Sequence, residues 1–175
     1  MKVLVTGSNG VVGSALKSLF HYYYDNIWYE TENCSSSNRW VFFERADCDL
    51  TNRDQTIKWF KTIKPDYVIH LASYVPGFYQ INKTKSFSAN VRMNENVLEA
   101  CNLSGVNNGM FCFSVNMFCE NLRLPINESM IFDGGLTGMF EGYAYAKRML
   151  AMQCQNYNEQ YGRKYFGIIP SNIYG

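Results

Sequence analysis

The stretch Lys2-Val3-Leu4-Val5-Thr6-Gly7-Ser8-Asn9-Gly10-Val11-Val12-Gly13 decides the fold. A short apolar run rich in β-branched residues reads as a buried strand, and a glycine turn follows at once. Val12, Leu16, Leu19, Phe20 and Tyr23 then recur at helical spacing. The order strand, glycine turn, helix has a physical use: glycines allow a tight turn and let the backbone approach a pyrophosphate, which the helix N-terminus then faces. Gly7, Gly10 and Gly13 give the spacing G-x-x-G-x-x-G, so Gly7, Asn9, Gly10, Val11, Val12 and Gly13 are candidate contacts to such a group. No G-K-[ST] follows, which excludes a Walker loop.

Outward from this turn the rhythm repeats. Polar sequence from Asp25 to Arg39 leads to a second strand at Trp40–Phe43; a helix through Ile57, Trp59, Phe60 and Ile63 closes at Lys64-Pro65-Asp66, and Tyr67–Ala72 reads as the next strand. A helix over Phe87–Cys101 has Val91, Asn94, Val97, Leu98 and Cys101 on one side, and a strand near Met110–Ser114 follows. The last helix, Tyr143–Tyr161, precedes a strand at Tyr165–Ile169. Strands alternating with helices predict an α/β fold, a doubly wound parallel sheet of the Rossmann type with helices on both faces, because parallel neighbours need crossover connections. Residues 1–175 read as one dinucleotide-binding domain. Glu120–Gly142, with Pro125, Gly134, Gly135 and Gly138, breaks the rhythm and reads as a long irregular connection of the kind that often carries function.

Composition narrows the function. Sixteen Lys and Arg against fifteen Asp and Glu leave +1, so no overall basic excess points to nucleic acid. No run approaches the roughly 20 apolar residues of a membrane span, and Met1–Gly10 lacks the pattern of a secretory signal, so the expectation is a cytoplasmic protein. The six cysteines form no C-x-x-C pair, which favours free thiols and no metal site.

The end of the second strand is where a dinucleotide's adenosine ribose is read: an acidic residue favours the 2′-hydroxyl of NAD, a cation the 2′-phosphate of NADP. Glu44 and Arg45 stand side by side there, and the local sequence does not choose between them. His70 falls inside an apolar run and reads as a packed strand histidine. Tyr143 and Lys147 are four apart and share a helix face, so the ammonium is placed to lower the phenol's pKa and favour phenolate. Ser114, at the end of a predicted strand, is placed to hydrogen-bond a substrate oxygen. Ser114, Tyr143 and Lys147 are therefore the candidate catalytic residues for protonating a carbonyl that receives a hydride.

Together these features resemble the extended short-chain dehydrogenase/reductases, and in detail the GDP-L-fucose synthase family. The resemblance rests on the glycine triplet, Asp47-Cys48-Asp49-Leu50-Thr51, His70-Leu71-Ala72, Asn94-Glu95-Asn96-Val97-Leu98, Pro125-Ile126-Asn127-Glu128, Gly142-Tyr143-Ala144-Tyr145-Ala146-Lys147-Arg148-Met149 and Pro170-Ser171-Asn172-Ile173-Tyr174-Gly175. It covers essentially the whole chain, as the N-terminal cofactor-binding portion only; the family's substrate domain would lie beyond residue 175. It implies an NADP cofactor, with NAD possible, held by the glycine turn and by Arg45, Asp49, Leu71, Ala72, Lys147, Pro170 and Asn172. The implied substrate is a nucleotide sugar, a GDP-4-keto-6-deoxyhexose, reduced at C4 with Tyr143 as acid, Lys147 tuning it and Ser114 orienting the carbonyl. A homodimer through the helices around Phe87–Cys101 and Tyr143–Tyr161 is also implied. The family epimerises with a cysteine two positions after the serine, where this chain has Asn116; an amide cannot be the base, and Cys119 lies three residues further on. Three functions follow: an epimerase-reductase, a 4-ketoreductase without epimerisation, and an impaired relative kept for binding or assembly.

Overall fold

The computed structural model describes residues 1–23, 39–75 and 82–174. The polar stretch before Arg39, with Cys34, lies outside the described residues, as do the side chains of Phe20 and Tyr23. The elements alternate as the sequence predicts: β1 (Lys2–Thr6), α1 (Val11–Tyr23), β2 (Arg39–Phe43), α2 (Arg53–Ile63), β3 (Tyr67–His70), α3 (Lys83–Leu103), β4 (Asn108–Cys112), α4 (Glu141–Tyr161) and β5 (Lys164–Ile168). The five strands form one parallel sheet in the order β2-β1-β3-β4-β5, with Val5 opposite both Phe42 and Ile69. Val3, Leu4 and Val5 are consecutive and almost fully buried. Successive strand residues point to opposite faces, so both faces of β1, an interior strand, are covered, as in a doubly wound sheet.

Several boundaries differ from the sequence reading, each for a local reason. β3 ends at His70, opposite Thr6, the last residue of β1, whose carbonyl accepts the Leu71 N–H as the final bond between the two strands. α3 begins four residues before Phe87, where the Asn82 side chain accepts the backbone N–H of Lys85 and caps the helix. β4 ends at Cys112, and Ser114 caps a 3₁₀ turn over Val115–Met117. Within the irregular Glu120–Gly142 segment, Asn127 caps a second 3₁₀ turn over Glu128–Phe132. The five cysteines among the described residues are free thiols. Among those residues no helix is long and apolar enough to cross a membrane, and no cluster of three His, Cys, Asp or Glu could hold a metal ion.

His70 packs as the sequence suggests, edge-on against Phe111, and is fully buried. Its Nε2–H donates to Asn94 Oδ1 at 3.1 Å, while Nδ1 lies 2.7 Å from Thr6 Oγ1 and accepts its hydroxyl. Burial, aided by the nearby Lys147 charge, lowers its pKa to about 4, so the ring is neutral at physiological pH. In the unfolded chain it titrates near 6.5, so the unfolded state binds the extra proton between the two values. His70 is therefore expected to remove about 3 kcal/mol of stability as pH falls from about 6.5 to 4, and none above that window. Denaturant melts across this range should show that slope, and a flatter one in His70→Gln.

Candidate active site

A cleft of about 420 Å³ opens where β1, β2 and β3 end. Of the candidate cofactor contacts, Gly7, Asn9, Gly10, Arg45, Asp49 and Ala72 line it; Val11, Val12, Gly13, Leu71, Lys147, Pro170 and Asn172 do not. The glycines have different jobs. A Cβ on Gly7 would lie 2.5 Å from Ala72 N at a φ of 74°, and one on Gly13 would lie 2.5 Å from Gly7 O, so both are required for the turn to close on β3 and on itself. A Cβ on Gly10 would meet only Gly7 O at 3.4 Å, although Gly10 lines the cleft. The fold tolerates a side chain at Gly10, and that side chain would stand on the cleft wall. Such a backbone-lined hollow at the start of α1 fits a dinucleotide's pyrophosphate.

At the β2 end, Glu44 does not project freely into the cleft. Lys17 of α1 binds its Oε1 at 2.6 Å and also donates to Asn9 Oδ1 at 2.9 Å. These hydrogen bonds hold the Glu44 carboxyl below its ordinary pKa. Arg45 is exposed and follows it directly. Asp49 accepts from both the backbone N–H and the hydroxyl of Thr51, which keeps it ionised.

The Ser, Tyr and Lys side chains gather behind Ala72 and Ser73. The Tyr143 phenol stands near the Ser114 and Ser73 hydroxyls, which pull its pKa down, and Ser73 lines the cleft. The Lys147 ammonium is almost completely buried, sits 5.6 Å from the Tyr143 ring centroid and donates to Cys112 O at 2.6 Å. Loss of solvation lowers its pKa to about 8. The expected lowering of the Tyr143 pKa does not occur. Burial raises it, the nearby Ser114 and Ser73 hydroxyls offset this only in part, and the ammonium faces the ring and a carbonyl rather than the phenol oxygen. Tyr143 therefore keeps its proton at neutral pH, the state an acid needs. Ser114 Oγ accepts the Asn116 N–H at 3.3 Å, and Pro170 O accepts Val115 N–H, so the strand after α4 steadies the serine turn.

Sequence reading missed the wall supplied by α3. Lys85, Ser88, Ala89, Arg92 and Met93 line the cleft, and their spacing of i, i+3, i+4, i+7 and i+8 is the stripe that could have revealed them. The helix is tied to its surroundings by asparagines. Asn90 accepts from Ser73 Oγ and Tyr74 N and donates to Tyr74 O; Asn94 holds His70 and donates to Ala146 O; Asn96 donates to Leu50 O at 2.8 Å. Lys85 lies over the Tyr74 ring.

A doubly wound sheet with a glycine turn after its first strand is the arrangement of a Rossmann-type dinucleotide-binding domain. The chain belongs to the NAD dependent epimerase/dehydratase family, whose model it matches over residues 3–175. It is 41% identical to the GDP-L-fucose synthase of Dictyostelium discoideum over 175 residues, 99% of this chain and 52% of that protein. The crystal structure of a GDP-L-fucose synthetase from Naegleria fowleri bound to NADP matches with a TM-score of 0.86 at 32% identity, covering 99% of this chain and 54% of that one. GDP-mannoheptose C4 reductase from Campylobacter jejuni with NADP bound matches with a TM-score of 0.85 at 27% identity, over 99% and 52%. The chain spans about half the length of the curated relatives it matches.

Proposed function

We propose that residues 1–175 form the dinucleotide-binding half of an NADP-dependent oxidoreductase that reduces the C4 ketone of a GDP-4-keto-6-deoxyhexose. The observation that carries this reading is a protonated Tyr143 backed by Lys147, with the Ser114 and Ser73 hydroxyls near its phenol and Ser73 itself on the wall of the glycine cleft. Gly7, Asn9 and Gly10 would hold the pyrophosphate, with Arg45, Asp49 and Ala72 along the adenosine and nicotinamide ends. When bound, the nicotinamide supplies the hydride. Tyr143 delivers a proton to the carbonyl oxygen, and Ser114 orients that oxygen from the capped 3₁₀ turn. Lys147 supports the Tyr143 ring and keeps positive charge beside the developing alkoxide. The relatives named for GDP-L-fucose synthesis and the NADP-bound neighbours support the substrate class and the cofactor. The exposed Met149 and Met152 of α4, three residues apart and so on one face, support pairing of two copies through that face.

A second reading, reduction without epimerisation, is favoured by Asn116, exposed and holding the position of the family's epimerising cysteine. It gains support from the likeness to a C4 reductase. Deuterium uptake from solvent beside the ketone separates the two: an epimerising enzyme incorporates it, a pure reductase does not.

The cofactor site is tested by titrating the chain with NADPH and following nicotinamide fluorescence. Gly10→Asp should weaken binding at least about tenfold by placing a carboxylate against the pyrophosphate, with thermal stability kept because the turn has room for the Cβ. Unchanged affinity would remove the glycine cleft from the dinucleotide site.

A further inference from the structure

Glu44 at the end of β2 is the residue type that accepts a ribose 2′-hydroxyl and repels a 2′-phosphate. In this chain it is not available for that use. Its Oε1 is 2.6 Å from Lys17 Nζ, and the same ammonium is anchored by Asn9 Oδ1 at 2.9 Å, on the turn itself. Lys17 is mostly covered, with 17% of its side chain exposed, and it does not line the cleft, whereas Asn9, Glu44 and Arg45 do. The ammonium thus approaches Glu44 from behind, from α1, and cancels its charge without occupying the ligand's place. Arg45, exposed on that rim beside Glu44 and close enough to Asp49 to lower its pKa, has no salt-bridge partner among the described residues.

We propose that Lys17 is a specificity-determining residue that acts through Glu44: by neutralising this carboxylate it converts a rim of NAD type into one that accepts the 2′-phosphate of NADP. The inference rests on the dinucleotide reading of the cleft given above. It differs from a direct lysine–phosphate contact in one decisive respect, namely that the need for Lys17 should vanish once Glu44 carries no charge. A partly covered ion pair at the surface contributes about 1 kcal/mol or less to folding, so the variants should stay folded.

The experiment measures NADPH and NADH affinities by fluorescence titration for the full chain, Lys17→Gln, Glu44→Gln and the double variant. Lys17→Gln should lower the NADPH-to-NADH preference by about tenfold, the effect of one uncompensated like charge at the rim. Adding Glu44→Gln should restore NADPH binding to at least the starting level. An unchanged preference in Lys17→Gln overturns the inference, and so does a double variant that stays weak for NADPH, which would make Lys17 a phosphate ligand in its own right. NADPH binding that is lost in Gly10→Asp but indifferent to Lys17 overturns this inference alone. Failure of both nucleotides to bind the unaltered chain overturns the reading of the cleft and the inference with it.

Discussion

Tyr143→Phe should slow ketone reduction by about 10²–10⁴-fold, the usual contribution of a positioned general acid, while NADPH affinity stays the same. The argument is one of protons and substitutes. Tyr143 keeps its proton because burial disfavours phenolate, an effect that the nearby Ser114 and Ser73 hydroxyls offset only in part. Lys147 cannot stand in, because its ammonium is committed to Cys112 O and faces the ring rather than the phenol oxygen. Phenylalanine keeps the ring and removes only the hydroxyl, so packing is preserved. The check is NADPH consumption with a GDP-4-keto-6-deoxyhexose, alongside the binding titration. A loss of only a few fold would move the proton donor elsewhere, whereas parallel loss of binding would assign Tyr143 to cofactor retention.

The second large effect is on stability. Arg148 is buried and its guanidinium donates to three carbonyls: Met117 O at 2.6 Å, Gly134 O at 2.7 Å and Asp133 O at 2.9 Å. One side chain of α4 thereby pins both the serine turn and the irregular segment before the helix. Arg148→Met keeps the length and removes all three donors. Hydrogen bonds to charged groups contribute about 1.5–3 kcal/mol each. Removal of a buried cation and water access to the exposed Asp133 and Gly134 offset part of that loss, leaving a net destabilisation of about 2–4 kcal/mol. Urea melts give the value directly. Arg148→Lys should recover only a minority of it, because an ammonium lacks the planar fork that reaches three separate carbonyls. A cost below about 1 kcal/mol would show that water replaces the guanidinium on these carbonyls.

The alternation of strands and helices was legible because apolar periodicity reports burial directly, and Val3–Val5, Val68, Val97, Leu98 and Leu150 all lie in the core. The glycine turn was legible because close backbone approach leaves a residue-type mark at Gly7 and Gly13. What escaped was set by tertiary placement. Lys17 and Glu44 are 27 residues apart and meet only after α1 lies beside the end of β2. Arg148 bonds to backbone carbonyls, which have no signature in sequence. The four-residue spacing of Tyr143 and Lys147 placed them on one face, but helix geometry does not say whether an ammonium turns toward a phenol oxygen or toward a carbonyl of β4. Ser114 was read as a strand end; the side-chain cap that starts the 3₁₀ turn took it two residues past β4.

Three of the asparagines of α3, Asn90, Asn94 and Asn96, give the cleft a common mount. Asn96 grips the segment after β2 through Leu50, Asn94 grips β3 and α4 through His70 and Ala146, and Asn90 grips the backbone beyond β3 through Tyr74. A shift of this one helix therefore moves both ends of the cleft and the helix bearing Tyr143 in concert. A change in any one wall has to be answered on α3 rather than next door, which leaves the middle of that helix little freedom to change alone.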